Sequence, residues 1–185
     1  MPKHIAIVCN PTSAKAVRIA DDISVLLSGM DIQHFLFIEQ WPDKWDQITD
    51  VWIVGGDGTL NYFINKYPNI QLPLSIFAGG TGNDFHWMLY GQMKAESQVE
   101  LLLINQPQWL DAGICNNKLF LNGAGIGFDG SIVHDLVNKS KWMGKATYYL
   151  SILKNISGYN EQTCELQFTN ELVKQKCFMI SAANA

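Results

Sequence analysis

Gly55-Gly56-Asp57-Gly58-Thr59 sets three glycines around a carboxylate and closes on a hydroxyl. Such a loop permits positive φ and lets a ligand approach the backbone closely. The run before it, Val51 to Val54, reads as a strand, and Leu60, Phe63, Ile64 and Tyr67 after it recur at helical spacing. A helix start offers unpaired N–H groups and the positive end of its dipole, which suits a phosphate. Asp57 is the informative exception, because a carboxylate beside phosphate is repelled unless a divalent cation or a transferable proton lies between them. A nucleotide with Mg2+ resolves that conflict. Asp and Thr are also good helix caps, so the loop alone reads as readily as a capped tight turn.

Two further loops bear on the choice. Asn10-Pro11-Thr12-Ser13-Ala14 follows the strand Ile5 to Cys9, and Gly80-Thr81-Gly82-Asn83-Asp84-Phe85 follows the strand Leu74 to Phe77. Taken singly, Thr12-Ser13 reads first as a helix cap. Together the three loops favour one composite phosphate site over three unrelated turns, since parallel α/β sheets bind ligands beyond the carboxyl ends of their strands.

The intervening elements support such a sheet. Val17, Ala20, Ile23, Ser24 and Leu27 predict a helix stopped by Ser28-Gly29, Gln33 to Ile38 a second strand, and Trp41 to Ile48 a short helix with Pro42 in its first turn. Strands alternating with helices indicate an α/β domain with a mainly parallel sheet over residues 1–105. Beyond it the pattern turns strand-rich, and residues 106–185 read as the opening of a second, β-rich domain. Gln108 to Gly113 and Lys118 to Leu121 predict two strands joined at Asn116-Asn117, followed by Gly123-Ala124-Gly125-Ile126-Gly127. Ile132, Val133, Leu136 and Val137 predict a helix, Trp142 to Ile156 another, and Cys164 to Thr169 with Leu172 to Ala183 a hairpin turning at Asn170-Glu171. The final apolar run, Phe178 to Ala185, is expected to end without its sheet partners.

Composition narrows the function classes. Of 185 residues, 48% are apolar and 16% charged, and the net charge of −4 comes without any dense Lys/Arg run, which argues against a nucleic-acid partner. Cys9, Cys115, Cys164 and Cys177 show no C-x-x-C pair and read as reduced thiols of a cytoplasmic protein. The start lacks a signal-peptide core, and no stretch reaches the about 18 consecutive apolar residues of a spanning helix. Peripheral contact with the inner membrane surface and a homo-oligomeric state are both compatible with this profile. Six tryptophans point to large apolar contact surfaces.

In order, Asn-Pro-Thr-Ser at 10–13, Gly-Gly-Asp-Gly-Thr at 55–59 and Gly-Thr-Gly-Asn-Asp-Phe at 80–85 resemble the diacylglycerol kinase catalytic domain family. Asp111 and Phe120-Leu121-Asn122-Gly123-Ala124-Gly125-Ile126-Gly127-Phe128-Asp129 resemble that family's entry into its second domain. The resemblance implies an NAD kinase/phosphofructokinase-like nucleotide domain with a parallel sheet, then a β-sandwich domain left incomplete here. It also implies transfer of the ATP γ-phosphoryl group to a hydroxyl of diacylglycerol or a related lipid, within phospholipid metabolism. Carried over by position, Asn10, Thr12 and Ser13 match the first nucleotide loop, Gly55, Gly56, Asp57, Gly58, Thr59 and Asn61 the second, and Thr81, Asn83 and Asp84 the third. Asp57 is the residue expected to hold Mg2+, directly or through water. A non-catalytic nucleotide-binding module is the alternative, and an NAD kinase-like enzyme, which shares the Gly-Gly-Asp-Gly loop, a weaker one.

Some positions depart from the family pattern. Ala14 stands where the family usually has Gly, and if the backbone needs positive φ there, Ala costs about 1 kcal/mol or more. His86-Trp87 replaces the usual Ala-Arg after Asn-Asp-Phe. A lone His at a helix start reads first as structural rather than as a proton shuttle, and Trp87 as packing rather than a lipid contact. The family's further metal-site residues and its general base, an Asp or Glu that follows a later glycine-rich loop, match no position in residues 1–185.

Overall fold

The computed structural model describes residues 2–137, 156 and 158–184. They fall into two compact units, Met1–Asn122 with Asn184–Ala185, and Gly123–Ala183.

In the first unit the chain runs β1 (His4–Cys9), α1 (Ala14–Gly29), β2 (Gln33–Phe37), β3 (Asp50–Gly55), α2 (Asp57–Lys66), β4 (Leu74–Ala78), α3 (Asp84–Tyr90), α4 (Ala95–Ile104), β5 (Gly113–Cys115) and β6 (Lys118–Phe120). The first four strands form one sheet in the order β2-β1-β3-β4, with every pair parallel. Successive residues of a strand face opposite sides, and each side has its own helices. Ile5, Ile7 and Cys9 of β1 pack with Ala16, Ala20, Ile23 and Leu27 of α1 and Val99 of α4. Ala6 and Val8 face the other way, with Val51 and Ile53 of β3, onto Leu60, Phe63 and Ile64 of α2 and Phe85 of α3. Coverage of both faces explains why β1 and β3 read as unbroken apolar runs rather than as alternating ones.

Residues 41–48 do not form the predicted helix. Trp41 and Trp45 instead turn onto α2, with ring centroids 5.6 Å and 5.7 Å from that of Phe63, and Trp45 lies 5.0 Å from Tyr67. The Trp41 indole N–H donates to the Cys9 carbonyl (3.1 Å), and Gln47 takes φ 67°, which a right-handed helix does not accommodate. Aromatic burial thus overrides the local spacing. The predicted strand over 108–113 is likewise displaced to Gly113–Cys115. Asn116 and Asn117, at φ 49° and 60°, make the two-residue turn of the β5–β6 hairpin. That hairpin joins the first unit through Asn65 of α2, whose amide donates to the Leu119 carbonyl and whose carbonyl accepts from the Leu119 N–H, both at 2.9 Å. The compact unit therefore runs on past residue 105 to Asn122.

The second unit contains β7 (Gly123–Gly127), α5 (Phe128–Val137), β8 (Gln162–Gln167), β9 (Leu172–Cys177) and β10 (Met179–Ala183). The helix expected over 142–156 lies outside the described residues apart from Ile156. β8 and β9 form the expected hairpin, but its second strand ends at Cys177. Phe178 breaks the run because its ring packs 4.5 Å from Phe128 and 5.2 Å from Tyr159, while its carbonyl accepts from the Phe128 N–H (3.0 Å). β10 then pairs antiparallel with β7, from Met179 opposite Gly127 to Ala183 opposite Gly123. The unpartnered strand expected at the end is therefore a paired one.

Candidate functional site

β1, β3 and β4 are neighbours in the sheet, so the three loops that leave their carboxyl ends are neighbours too. Their backbones touch. A Cβ on Gly80 would stand 2.4 Å from the Gly56 Cα, and one on Gly79 would stand 2.7 Å from the Cβ of Ala16 in α1. Glycine at 79 and 80 is what lets the third loop lie against the other two.

The polar side chains of the loops are largely spent on one another. Asn10 Oδ1 accepts from the Thr12 N–H (3.0 Å) and hydroxyl (2.8 Å), and its amide donates to the Thr59 hydroxyl oxygen (3.3 Å), tying the first loop to the second. Ser13 is the N-cap of α1: its Oγ accepts from the Ala16 N–H (3.2 Å) and donates to the Gly79 carbonyl (2.9 Å), tying the first loop to the third. Asn83, in the left-handed region at φ 75°, grips Gly80 twice, accepting from its N–H (2.8 Å) and donating to its carbonyl (3.0 Å). Ala14 is the first residue of α1 and does not have positive φ, so the strain expected from a missing glycine does not arise.

Asp57, the first residue of α2, reaches across to the start of α3. Its Oδ2 accepts from the N–H groups of Asn83 (2.9 Å) and Asp84 (3.0 Å), and its Oδ1 from the N–H of Phe85 (2.9 Å) and the side-chain amide of Asn122 (3.1 Å). Burial pushes this carboxyl up, but the donors from Phe85, Asn122, Asp84 and Asn83 outweigh it and hold the group below the usual carboxylate range. Asp57 is therefore an anion with every acceptor position engaged.

Gly58, Thr81, Gly82 and Asp84 are exposed, and among the described residues nothing bonds the side chains of Thr81 or Asp84. Asn61 is exposed on α2, where its carbonyl accepts from Asn65 (2.8 Å). His86 is buried, bonded through Nε2 to the Gln98 Oε1 (2.9 Å), and Gln98 donates on to the Ile76 carbonyl (2.8 Å), so the imidazole joins α3 and α4 to β4. Trp87, expected to pack, is 65% exposed, because Phe85 and His86 already present the inward face of the short α3. Asn122 and Gln98 carry none of the local spacing that marks a site. Their partners lie 65 and 22 residues away, and only the fold brings them together.

No group of three His, Cys, Asp or Glu side chains among the described residues stands ready to hold a metal. Asp57, fully bonded, does not fit the part of a direct ligand. Beside α3, a hollow of about 270 Å³ is lined by Phe85, Met88, Trp109, Leu110, Leu121 and the polar Asp111 and Asn184. Trp109 is 95% exposed at its rim.

The family profile described as the diacylglycerol kinase catalytic domain matches residues 4–115. Over 172 residues the chain is 28% identical to a Staphylococcus carnosus (strain TM300) protein provisionally named a lipid kinase, and 30% identical to a similarly named one of Staphylococcus aureus (strain MRSA252). Each alignment takes in 90% of this chain and 56% of the relative, so the chain spans just over half their length. Among solved structures, a Bacillus anthracis (strain Sterne) protein provisionally named a diacylglycerol kinase superposes with a TM-score of 0.75 at 18% identity, over 98% of this chain and 66% of its own. Another from the same strain, titled a diacylglycerol kinase, gives 0.70 at 20% identity, over 98% and 64%. These structures share the fold.

Proposed function

Because the chain belongs to the diacylglycerol kinase catalytic domain family, we propose that its first unit binds ATP across the loops after β1, β3 and β4, for transfer of the γ-phosphoryl group to a hydroxyl of diacylglycerol or a related lipid. The observation that carries this reading is the backbone contact between Gly56 and Gly80, which merges two glycine loops and the start of α2 into one surface. Phosphoryl transfer needs positioning and charge stabilisation more than covalent chemistry from the protein. The exposed N-terminal turn of α2 at Gly58 and the Thr81 hydroxyl supply donors for phosphate oxygens. Asn10, Ser13, Thr59 and Asn83 hold those donors in place without spending bonds on the ligand. Asp84 is the free carboxylate at the rim.

A divalent ion in such a reaction neutralises phosphate charge, and here it arrives with the nucleotide, since Mg2+ usually keeps several waters and binds largely through substrate phosphates. Calorimetric titration of the full chain with ATP and Mg2+ tests the reading. Saturable binding supports it, and no heat at millimolar ATP removes it. Binding without phosphate transfer to diacylglycerol in mixed micelles marks a nucleotide-binding module instead.

The lipid side of the proposal rests on the hollow beside α3. Met88, Trp109 and Leu110 surround it with exposed apolar surface, and Trp87 projects from the same helix as Met88. Exposed tryptophans are suited to a bilayer interface, which has an apolar and a wet side. Acidic net charge gives no attraction to anionic lipid, so vesicles of neutral lipid with diacylglycerol are the test. Retention that Trp109→Ala lowers supports contact here, and equal retention of both forms removes it.

A further inference from the structure

Asp57 sits where two helices begin, α2 with its own backbone and α3 across the cleft between loops. A carboxylate offers about four acceptor positions. Asn83 N, Asp84 N, Phe85 N and Asn122 Nδ2 fill them, all from outside its own helix. Any cation that bonded directly to Asp57 would have to displace one of these donors and leave it without an acceptor. The third loop passes beside the same carboxylate: a Cβ added to Gly82 would stand 3.2 Å from Oδ2.

The same four bonds have a positive consequence. Asn83 already locks Gly80 by two bonds, so fixing Asn83, Asp84 and Phe85 to Asp57 fixes the whole third loop against the second. Asn122, the last residue of the first unit before β7, is held to the same carboxylate.

We propose that Asp57 is a positioning residue and not a cation ligand: its carboxylate is the shared acceptor that clamps the third glycine loop, the start of α3 and Asn122 onto the start of α2. Its effect on ATP rests on the nucleotide reading above, whereas the clamp itself does not.

Three measurements on the full chain separate the possibilities. In Asp57→Asn an amide N–H2 faces former donors, so hydrogen exchange at Asn83, Asp84 and Phe85 should accelerate about tenfold or more while β1 and β3 stay protected; unchanged exchange overturns the clamp. Without nucleotide and again with ATP, Mn2+ added to the wild-type chain should broaden the Asp57 carboxyl carbon resonance no more than that of its exposed neighbour Asp84. Selective broadening there overturns the proposal, and this arm decides the matter even if Asp57→Asn fails to fold. ATP affinity should fall by the same factor in EDTA and in Mg2+; a loss confined to Mg2+ restores Asp57 as a ligand. A wild-type chain that binds no ATP removes the nucleotide reading, and the first two measurements still judge the clamp.

Discussion

Gly80 lies so close to Gly56 that a methyl group on it would stand 2.4 Å from the Gly56 Cα and 2.9 Å from its nitrogen. Both are backbone atoms, so no side chain can swing aside to make room. Gly80→Ala should cost about 1–3 kcal/mol, the usual range for overpacking, and lower ATP affinity by about tenfold as the loops part. Gly58→Ala is the stability control, because a Cβ there meets nothing within 4 Å. Urea denaturation and calorimetry read both, and equal stability of the two variants would refute the contact argument.

Asn65 ties the β5–β6 hairpin to α2 by its paired bonds to Leu119. Truncation in Asn65→Ala leaves the Leu119 N–H and carbonyl without those partners, at a cost of about 1–2 kcal/mol. Limited proteolysis should then cut at the Asn116-Asn117 turn well before the parallel sheet opens. Unaltered cleavage would mean that apolar packing alone seats the hairpin.

The depressed Asp57 carboxyl sets an acid limit. Its ionised form is the one favoured by folding, so the stability it contributes is complete above the usual carboxylate pKa of about 4 and is lost as pH falls through the lower folded value. Thermal denaturation of wild type and Asp57→Asn should therefore converge below about pH 4. Parallel curves across that range would show that the four donors do not favour the anion.

Cys9 works in the opposite sense. Burial, with Asp21 adding to it, pushes its thiol up to about 11. Native alkylation at pH 8 should spare Cys9 while exposed Cys115 reacts. A folded pKa above the unfolded one gives stability that is full below about pH 9 and fades as pH rises towards 11. Peptide mapping after iodoacetamide checks the first statement, and pH-dependent denaturation of Cys9→Ala beside wild type checks the second.

Much of the first unit could be read from residues alone. β1, β3 and β4 are short β-branched or aromatic runs that each end in a Gly, Pro or Asn signal, and α1 and α2 carry clean helical spacing. Convergence of the three loops followed from that parallel order. Local patterning could not show which partner each polar group takes, because the bonds of Asp57 span 26 to 65 residues. It also misjudged segments ruled by distant aromatic contacts, such as Trp41 and Trp45 on Phe63, and Phe178 on Phe128. Trp87 failed as a packing residue for a related reason: α3 spans only seven residues, and its inward face was already filled.

Asn184 donates its backbone N–H to the Asn122 carbonyl (2.9 Å) and its side-chain amide to Asp111 and Leu121. The chain thus leaves the first unit and comes back to it at one spot, with departure and return stitched together by a hydrogen bond. Residues 123–183 are in this sense a cassette spliced into a scaffold whose cut ends already meet. A linker of a few glycines from Asn122 to Asn184 would close that scaffold without stretching it, and the sheet with its three loops could be prepared and studied as a free-standing piece.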